Sequence, residues 1–177
     1  MRVVSGKHKG RVLDKFKGDA IRPTADRAKE ALFNILSYSV TGANFLDLFS
    51  GTGSIGIEAL SRGAKKVTFV DASKESANII KSNLTKLKEV SSVELLSAET
   101  FLLKTSDTYD IIFLDPPYSF NEADKLFEII KNRNLLNENG IVIYEHASEN
   151  KFNSDFLEIY DTRKYGIATF DFLRSIK

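Results

Sequence analysis

The residues with the most chemistry in them are Asp115-Pro116-Pro117-Tyr118, directly after the apolar run Ile111-Ile112-Phe113-Leu114. Four apolar residues, two of them β-branched, read as a buried strand that two prolines then forbid from continuing. An acid, a rigid dipeptide and an aromatic ring are thereby placed just past a strand's carboxyl end, the edge at which open α/β sheets bind ligands. The set suits an amino group on a planar base. The Asp115 carboxylate accepts one N–H, the Pro116 carbonyl accepts the other, and Tyr118 stacks on the ring, with Pro117 fixing the direction of that carbonyl.

A second constellation is Asp47-Leu48-Phe49-Ser50-Gly51-Thr52-Gly53-Ser54-Ile55-Gly56, which ends one strand pattern and opens a helix. Gly51 and Gly53 allow a tight turn and close backbone approach, and Gly56 allows close helix–strand packing. Asp71 ends the next strand 18 residues after Gly53, placed to accept from both hydroxyls of a ribose, with Ala72 beside it. A dinucleotide's pyrophosphate would sit on the helix N-terminus, where the Asp47 carboxylate repels it. Asp47 instead favours a positively charged group, an ammonium or a sulfonium, and S-adenosylmethionine carries both. No Gly-Lys-Ser/Thr follows the turn, so a kinase-type phosphate loop is excluded. The expected cofactor set is Asp47, Phe49, Ser50, Gly51, Thr52, Gly53, Asp71, Ala72 and Asp115. Ser97 and Ala98, after the third strand, fall where an adenine edge would lie.

These residues need a scaffold, and the periodicity supplies one. Residues 2–18 alternate loosely around Ser5-Gly6-Lys7-His8-Lys9-Gly10 and read as a β-hairpin with a basic tip. Pro23 and Thr24 start a helix, with Thr24 as N-cap, and Ala28, Ala31, Leu32, Ile35 and Leu36 give it an amphipathic face over 25–38. From residue 44 the period alternates. Strands are expected at 44–49, 67–70, 93–96, 109–114 and 140–145, with helices at 54–61, 73–87, through Phe101, and at 121–131. Two more strands, near 157–160 and 168–173, form an antiparallel pair at the sheet edge. Alternating units of this length mean a doubly wound, mostly parallel α/β sheet of seven strands. The expected organisation is a single domain over 1–177: a basic hairpin at 1–20, a helical segment at 21–40 and an α/β core at 43–177.

Composition narrows the partners. The 177 residues are 42% hydrophobic and contain no cysteine, which removes disulfides, thiolate metal sites and cysteine nucleophiles. His8 and His146 lie far apart with no acidic pair at ligand spacing, so no metal site is expected. No apolar run approaches the roughly 20 residues a membrane span needs. The N-terminus lacks a signal-peptide core, so a cytoplasmic protein is expected. The net charge of +1 hides an asymmetry: residues 1–29 hold nine Lys/Arg against three Asp, and the remainder 16 basic against 21 acidic. A basic arm on an acidic body is what a polyanion-binding edge looks like, and equally what a solvated tail looks like. The candidate polyanion contacts, RNA contacts if the resemblance given below holds, are Lys7, His8, Lys9, Arg11, Arg22, Thr24 and Arg27. His146 reads as a satisfied sheet-edge residue, Tyr144 and Phe170 as packing.

Taken together, these segments resemble the class I S-adenosylmethionine-dependent methyltransferases, and more narrowly the RsmD family of 16S ribosomal RNA guanine-N2 methyltransferases. The resemblance is carried by Ile21 to Asn34, by Asp47 to Gly53, by Glu58-Ala59-Leu60-Ser61-Arg62-Gly63-Ala64 and by Asp115 to Tyr118. It covers nearly the whole chain. Two positions depart from it: Asp71 stands where Glu is commoner, and Ser97 where Asp or Asn is. The resemblance implies a Rossmann-like fold and in-line methyl transfer to the exocyclic N2 of a flipped-out guanine. Its partner would be 16S ribosomal RNA in a partly assembled small subunit, with the enzyme acting as a monomer. Alignment of two bound reactants can supply about 7–11 kcal/mol of the barrier reduction. Two rivals remain at this stage, an adenine-N6 methyltransferase of DNA or RNA and a non-catalytic RNA-binding assembly factor. The Asp-Pro-Pro-Tyr motif is shared with adenine enzymes and does not choose between the bases.

Overall fold

The computed structural model describes residues 1–18, 23–149 and 152–176. Among them, β1 (Asn44–Leu48), β2 (Lys66–Asp71), β3 (Ser92–Leu95), β4 (Tyr109–Leu114), β5 (Leu136–Ala147), β6 (Leu157–Tyr165) and β7 (Ala168–Ser175) form one sheet. Its order is β3-β2-β1-β4-β5-β7-β6. The first five strands are parallel, and β7 runs antiparallel between β5 and β6. This is the mostly parallel seven-stranded α/β sheet that the sequence led us to expect.

Helices α1 (Pro23–Leu36), α2 (Ser54–Ser61), α3 (Lys74–Leu87), α4 (Ala98–Lys104) and α5 (Ala123–Asn132) cover the sheet. Alternation along the strands sorts the core in two. Phe45, Phe69, Phe113 and Ile143 pack with Leu32, Phe33, Ile57 and Ile80 of α1, α2 and α3. Leu46, Val70, Ile112, Leu114 and Val142 pack on the other face with Phe101, Leu126 and Phe127 of α4 and α5. A Cβ on Gly56 would come within 2.3 Å of the Phe69 ring, so α2 lies this close to β2 only because position 56 has no side chain.

The differences from the sequence expectation lie at element ends. α1 begins at Pro23 rather than after Thr24, as proline suits a first helical turn. It stops at Leu36, where Ser37 takes φ 43° and starts a single 3-10 turn. α4 runs past Phe101 to Lys104. β5 starts four residues early, its polar Asn137-Glu138-Asn139 carried by pairing next to β4 across an irregularity in register. β6 and β7 also run longer than expected, since an edge strand such as Glu158 to Lys164 carries charges that blur the alternation.

The expected basic hairpin is reduced to one antiparallel bridge, Arg2 to Val12, with the Val3 amide donating to the Arg11 carbonyl at 3.0 Å. Residues 14–18 take no part in it. What fixes this arm is α2. Glu58, fully buried, accepts from the Val4 and Ser5 amides at 2.9 Å each and from Arg62 Nε at 2.9 Å. Buried Lys29 stands 3.4 Å from the same carboxylate and also donates to the Arg2 carbonyl and Ser54 Oγ. Burial pulls the Lys29 ammonium below its ordinary pKa, and Glu58 opposes the shift. Ser61 Oγ donates to the Ser5 carbonyl at 2.5 Å, and its own carbonyl accepts from the Lys7 amide at 2.8 Å. Gly6, at φ 81°, passes so close that an added Cβ would lie 1.9 Å from the Ser61 oxygen. Val3 and Leu13 then seat in the core.

Removing one partner of a buried ion pair leaves the other uncompensated, so Glu58→Ala should cost about 3–5 kcal/mol. Urea unfolding measures this, and limited proteolysis should show residues 1–13 cut first. A loss below about 1 kcal/mol, the value of an exposed pair, would mean that the arm does not depend on Glu58.

Candidate active site

Parallel strands deliver their carboxyl ends to one edge of the sheet. At that edge Asp71, Asp47, Asp115 and Glu145 follow one another across β2, β1, β4 and β5. Each lies two residues beyond an apolar side chain of the α1–α3 face (Phe69, Phe45, Phe113 and Ile143), so the alternation points all four to the same side.

Asp47 is the deepest, 1% exposed, and its Oδ2 accepts from the Gly56 amide at 2.9 Å. Burial pushes its carboxyl up to about 8, against the pull of the Gly56 amide, and Asp115 and Asp71 add to the rise. Phe49, Gly51 and Gly53 take φ 59°, 54° and 77°, turning the chain sharply from β1 into α2. Left-handed backbone at a phenylalanine stores of order 1–3 kcal/mol, strain that clusters at functional loops. The loop is held from both sides. Ser50 Oγ donates to the Asp47 carbonyl at 2.6 Å, also reaches the Val70 carbonyl, and accepts from the Val70 amide at 2.9 Å. Asp71 accepts from the Gly51 and Ser73 amides at 2.8 Å each, one on each oxygen. Each Asp71 oxygen keeps a lone pair for a ligand hydroxyl. The Ser50 hydroxyl, by contrast, is committed to joining β1 and β2.

Beyond β4, the Phe120 amide donates to the Pro117 carbonyl at 2.8 Å, closing a turn that leaves the Pro116 carbonyl outside it. The Phe120 ring meets Phe49 edge-on at 5.2 Å, so the Pro-Pro-Tyr loop rests on the glycine loop. Asp115 opens onto solvent yet is ringed by protein atoms, and that crowding raises its carboxyl to about 6. Tyr118 is 57% exposed. Glu145, half-buried, is pushed up to about 8 by burial first and by Asp115 second. The sequence reading missed Glu145, although the signal was the one that found Asp71: an acid at the end of an apolar strand run.

The remaining candidates divide. Ser97 caps α4, accepting from the Thr100 amide at 3.1 Å and donating to Thr100 Oγ1 at 2.8 Å, with Ala98 buried in the first turn. Ala72 is exposed beside Asp71, and the Thr52 carbonyl accepts from Asn83 Nδ2 at 3.3 Å. In the arm, Lys7 and His8 both face Glu89, at 2.6 and 2.5 Å. Arg11 reaches the Lys86 carbonyl at 3.3 Å, and Lys9 and Arg27 are exposed. Arg22 lies outside the described residues, as does the Thr24 side chain. His146 is buried, 2.8 Å from Asp171 and stacked on Tyr144, on the face opposite the four acids. A cavity of about 300 Å³ lined by Lys66, Ser92 and Asp107 lies at the other, amino edge of the sheet. Among the described residues no helix is long and apolar enough to cross a membrane.

Known proteins are similar to this chain in sequence and in overall fold. The model of the family described as Conserved hypothetical protein 95 matches residues 1–174. The ribosomal RNA small subunit methyltransferase D of Haemophilus influenzae is 40% identical over 150 residues, covering 82% of this chain and 78% of that protein. The protein of the same name in Escherichia coli K12 is 30% identical over 151 residues, covering 85% and 76%. A solved structure from Thermus thermophilus superposes with a TM-score of 0.84 at 25% identity, covering 98% of this chain and 99% of that one.

Asp47 gives a pH signature. Its folded pKa lies above the unfolded value, so the folded state retains a proton that the unfolded chain gives up. The ligand-free protein therefore loses stability as pH rises from about 4 to about 8, and the loss levels off above that. Asp47→Asn keeps an acceptor for the Gly56 amide and removes the charge. The variant should be more stable than the wild type at pH 8 and flatter from pH 5 to 8 in urea unfolding. Equal slopes would show that Asp47 is ionised in the empty site.

Proposed function

The chain belongs to the Conserved hypothetical protein 95 family, that of the ribosomal RNA small subunit methyltransferase D proteins, and we propose that it methylates the exocyclic N2 of a guanine in small-subunit ribosomal RNA. The observation that carries this reading is the juxtaposition at one sheet edge of a cation-seeking glycine loop and the Asp115-Pro116-Pro117-Tyr118 loop, joined through Phe49 and Phe120.

S-adenosylmethionine fits the donor set. Among the described residues no Lys or Arg pairs with Asp47 or Asp115, and burial raises both carboxyls. The group would supply an electrophilic methyl on a positively charged sulfur, held by Asp47, Asp71 and the Gly51–Gly53 backbone. The chain's own residues then prepare the acceptor. An exocyclic amine is a poor nucleophile because its lone pair is delocalised into the ring. Asp115 and the Pro116 carbonyl accept its two N–H bonds, favouring a pyramidal nitrogen with its lone pair free. Tyr118, exposed beside them, stacks on the base, an interaction worth roughly 1–3 kcal/mol in single-strand binders. After transfer the nitrogen is acidic enough to give its proton to Asp115 or to water, so no strong base is required.

The basic arm is the reading's RNA contact, with Lys7, Lys9 and Arg11 among its exposed cations. The chain works as a monomer in the cytoplasm on a partly assembled small subunit.

Undermethylated small subunits, from a strain lacking the gene, incubated with tritiated-methyl cofactor and digested to nucleosides should yield N2-methylguanosine; N6-methyladenosine in its place would sink the guanine reading. Asp115→Ala should abolish turnover while calorimetry shows the cofactor still bound. Failure of the wild type to bind the cofactor, with or without RNA, would favour an assembly factor. Lys9→Glu with Arg11→Glu should weaken particle binding and lower its salt slope by about one per lost contact. Unchanged affinity would remove the arm from the interface.

A further inference from the structure

Glu145 is a carboxyl that nothing in the fold explains. It ends the apolar run of β5 on the α1–α3 face, half-buried, and among the described residues it receives no hydrogen bond and faces no Lys or Arg. In the parallel β4–β5 register Leu114 pairs with Tyr144, so Asp115 and Glu145 are the next residues along adjacent strands. The neighbouring charge is thus another acid, which adds to the rise that burial causes. Two carboxyls side by side without a cation destabilise a fold, and such groups mark sites that keep them for a ligand.

The topology says which ligand. The glycine loop follows β1, Asp71 ends β2 and Ser97 follows β3, all to one side of the Asp-Pro-Pro-Tyr loop that follows β4. Glu145, on β5, stands on the other side. A cofactor gripped across β1 and β2 lies away from it, which leaves Glu145 beside the Asp-Pro-Pro-Tyr loop on the side the cofactor does not take.

A guanine turns two adjacent donors to such a pair, the N2 amine and the neighbouring ring N1–H. An adenine offers an N6 amine beside an unprotonated N1, an acceptor. Resting on the methyltransferase reading above, we propose that Glu145 accepts the N1–H of the target guanine while Asp115 accepts an N2–H, making Glu145 the residue that selects guanine over adenine. The discrimination belongs to the ionised form: guanine N1–H stabilises the Glu145 carboxylate and draws its raised pKa back down, whereas adenine N1 meets that carboxylate lone pair to lone pair and leaves both acceptors unsatisfied. The motif shared with adenine enzymes thereby gains its discriminator from the strand beside it.

The test compares the full-length wild type with Glu145→Gln on undermethylated small subunits. The amide removes the charge and can present an N–H where an acceptor is needed. With the hydrogen bond to a charged group lost, kcat for N2-methylguanosine should fall about ten- to a hundredfold. KM for the particle and cofactor affinity by calorimetry should hold, and the melting temperature at pH 8 should stay or rise, because a carboxyl repulsion has gone. A merely structural role would lower the melting temperature instead. Three results overturn the assignment: turnover equal to wild type, a loss of cofactor affinity matching the loss of turnover, or a destabilised variant. No N2-methylguanosine from the wild type would remove the methyltransferase reading and this assignment with it. N2-methylguanosine from both proteins alike would remove this assignment alone.

Discussion

The hydrogen bond from the Gly56 amide to the buried Asp47 carboxyl joins the end of β1 to the first turn of α2. Everything on the working side of the molecule hangs from that joint. Between the two residues the chain must turn through left-handed backbone, which shapes the loop of Phe49 to Gly53. Because position 56 carries no side chain, α2 sinks onto Phe69, and this brings Glu58 into the protein interior. Glu58 in turn gathers Lys29, Arg62 and the amides of the N-terminal arm. One backbone-to-carboxyl contact thus sets the loop, the helix that follows it and the seat of the basic segment.

The same edge stores electrostatic tension. Parallel strands all end on one side, and four neighbouring ends carry acids. Asp71 spreads its charge over two backbone amides, whereas Asp47, Asp115 and Glu145 have far less to balance them. A fold built for stability alone would place apolar or paired groups there. In the empty site retained protons relieve this tension, and a ligand that brings positive charge and N–H donors lets the acids ionise instead.

Much of this was legible in the residues. Strand ends were marked by Asp47, Asp71 and Asp115 because each acid interrupts an apolar run, and Gly51, Gly53 and Gly56 announced the strand–turn–helix. The arm was read from charge and loose alternation, and its charge asymmetry is real. Its anchorage was not legible: Glu58 lies 54 residues from the Val4 amide it holds, and no local pattern reports a contact of that separation. Ser97 was read as facing an adenine edge by its position in the chain, and the cap that its hydroxyl gives α4 was not legible there. Glu145 was hidden by its company, since Gly140 to Glu145 reads as one more core strand until the register sets its last residue beside Asp115.

The place of β7 between β5 and β6 has a consequence for how the chain is made. The parallel strands β1 to β5 are all present once residues up to 147 have been made, before either β6 or β7. At that stage β5 is a sheet edge twelve residues long, with open backbone groups on one side. Its partner is the last strand in the sequence, residues 168–175. Until residues 168–175 emerge, the nascent chain carries a sticky edge next to the candidate site, and that eight-residue strand both covers β5 and fixes the strand that bears Glu145.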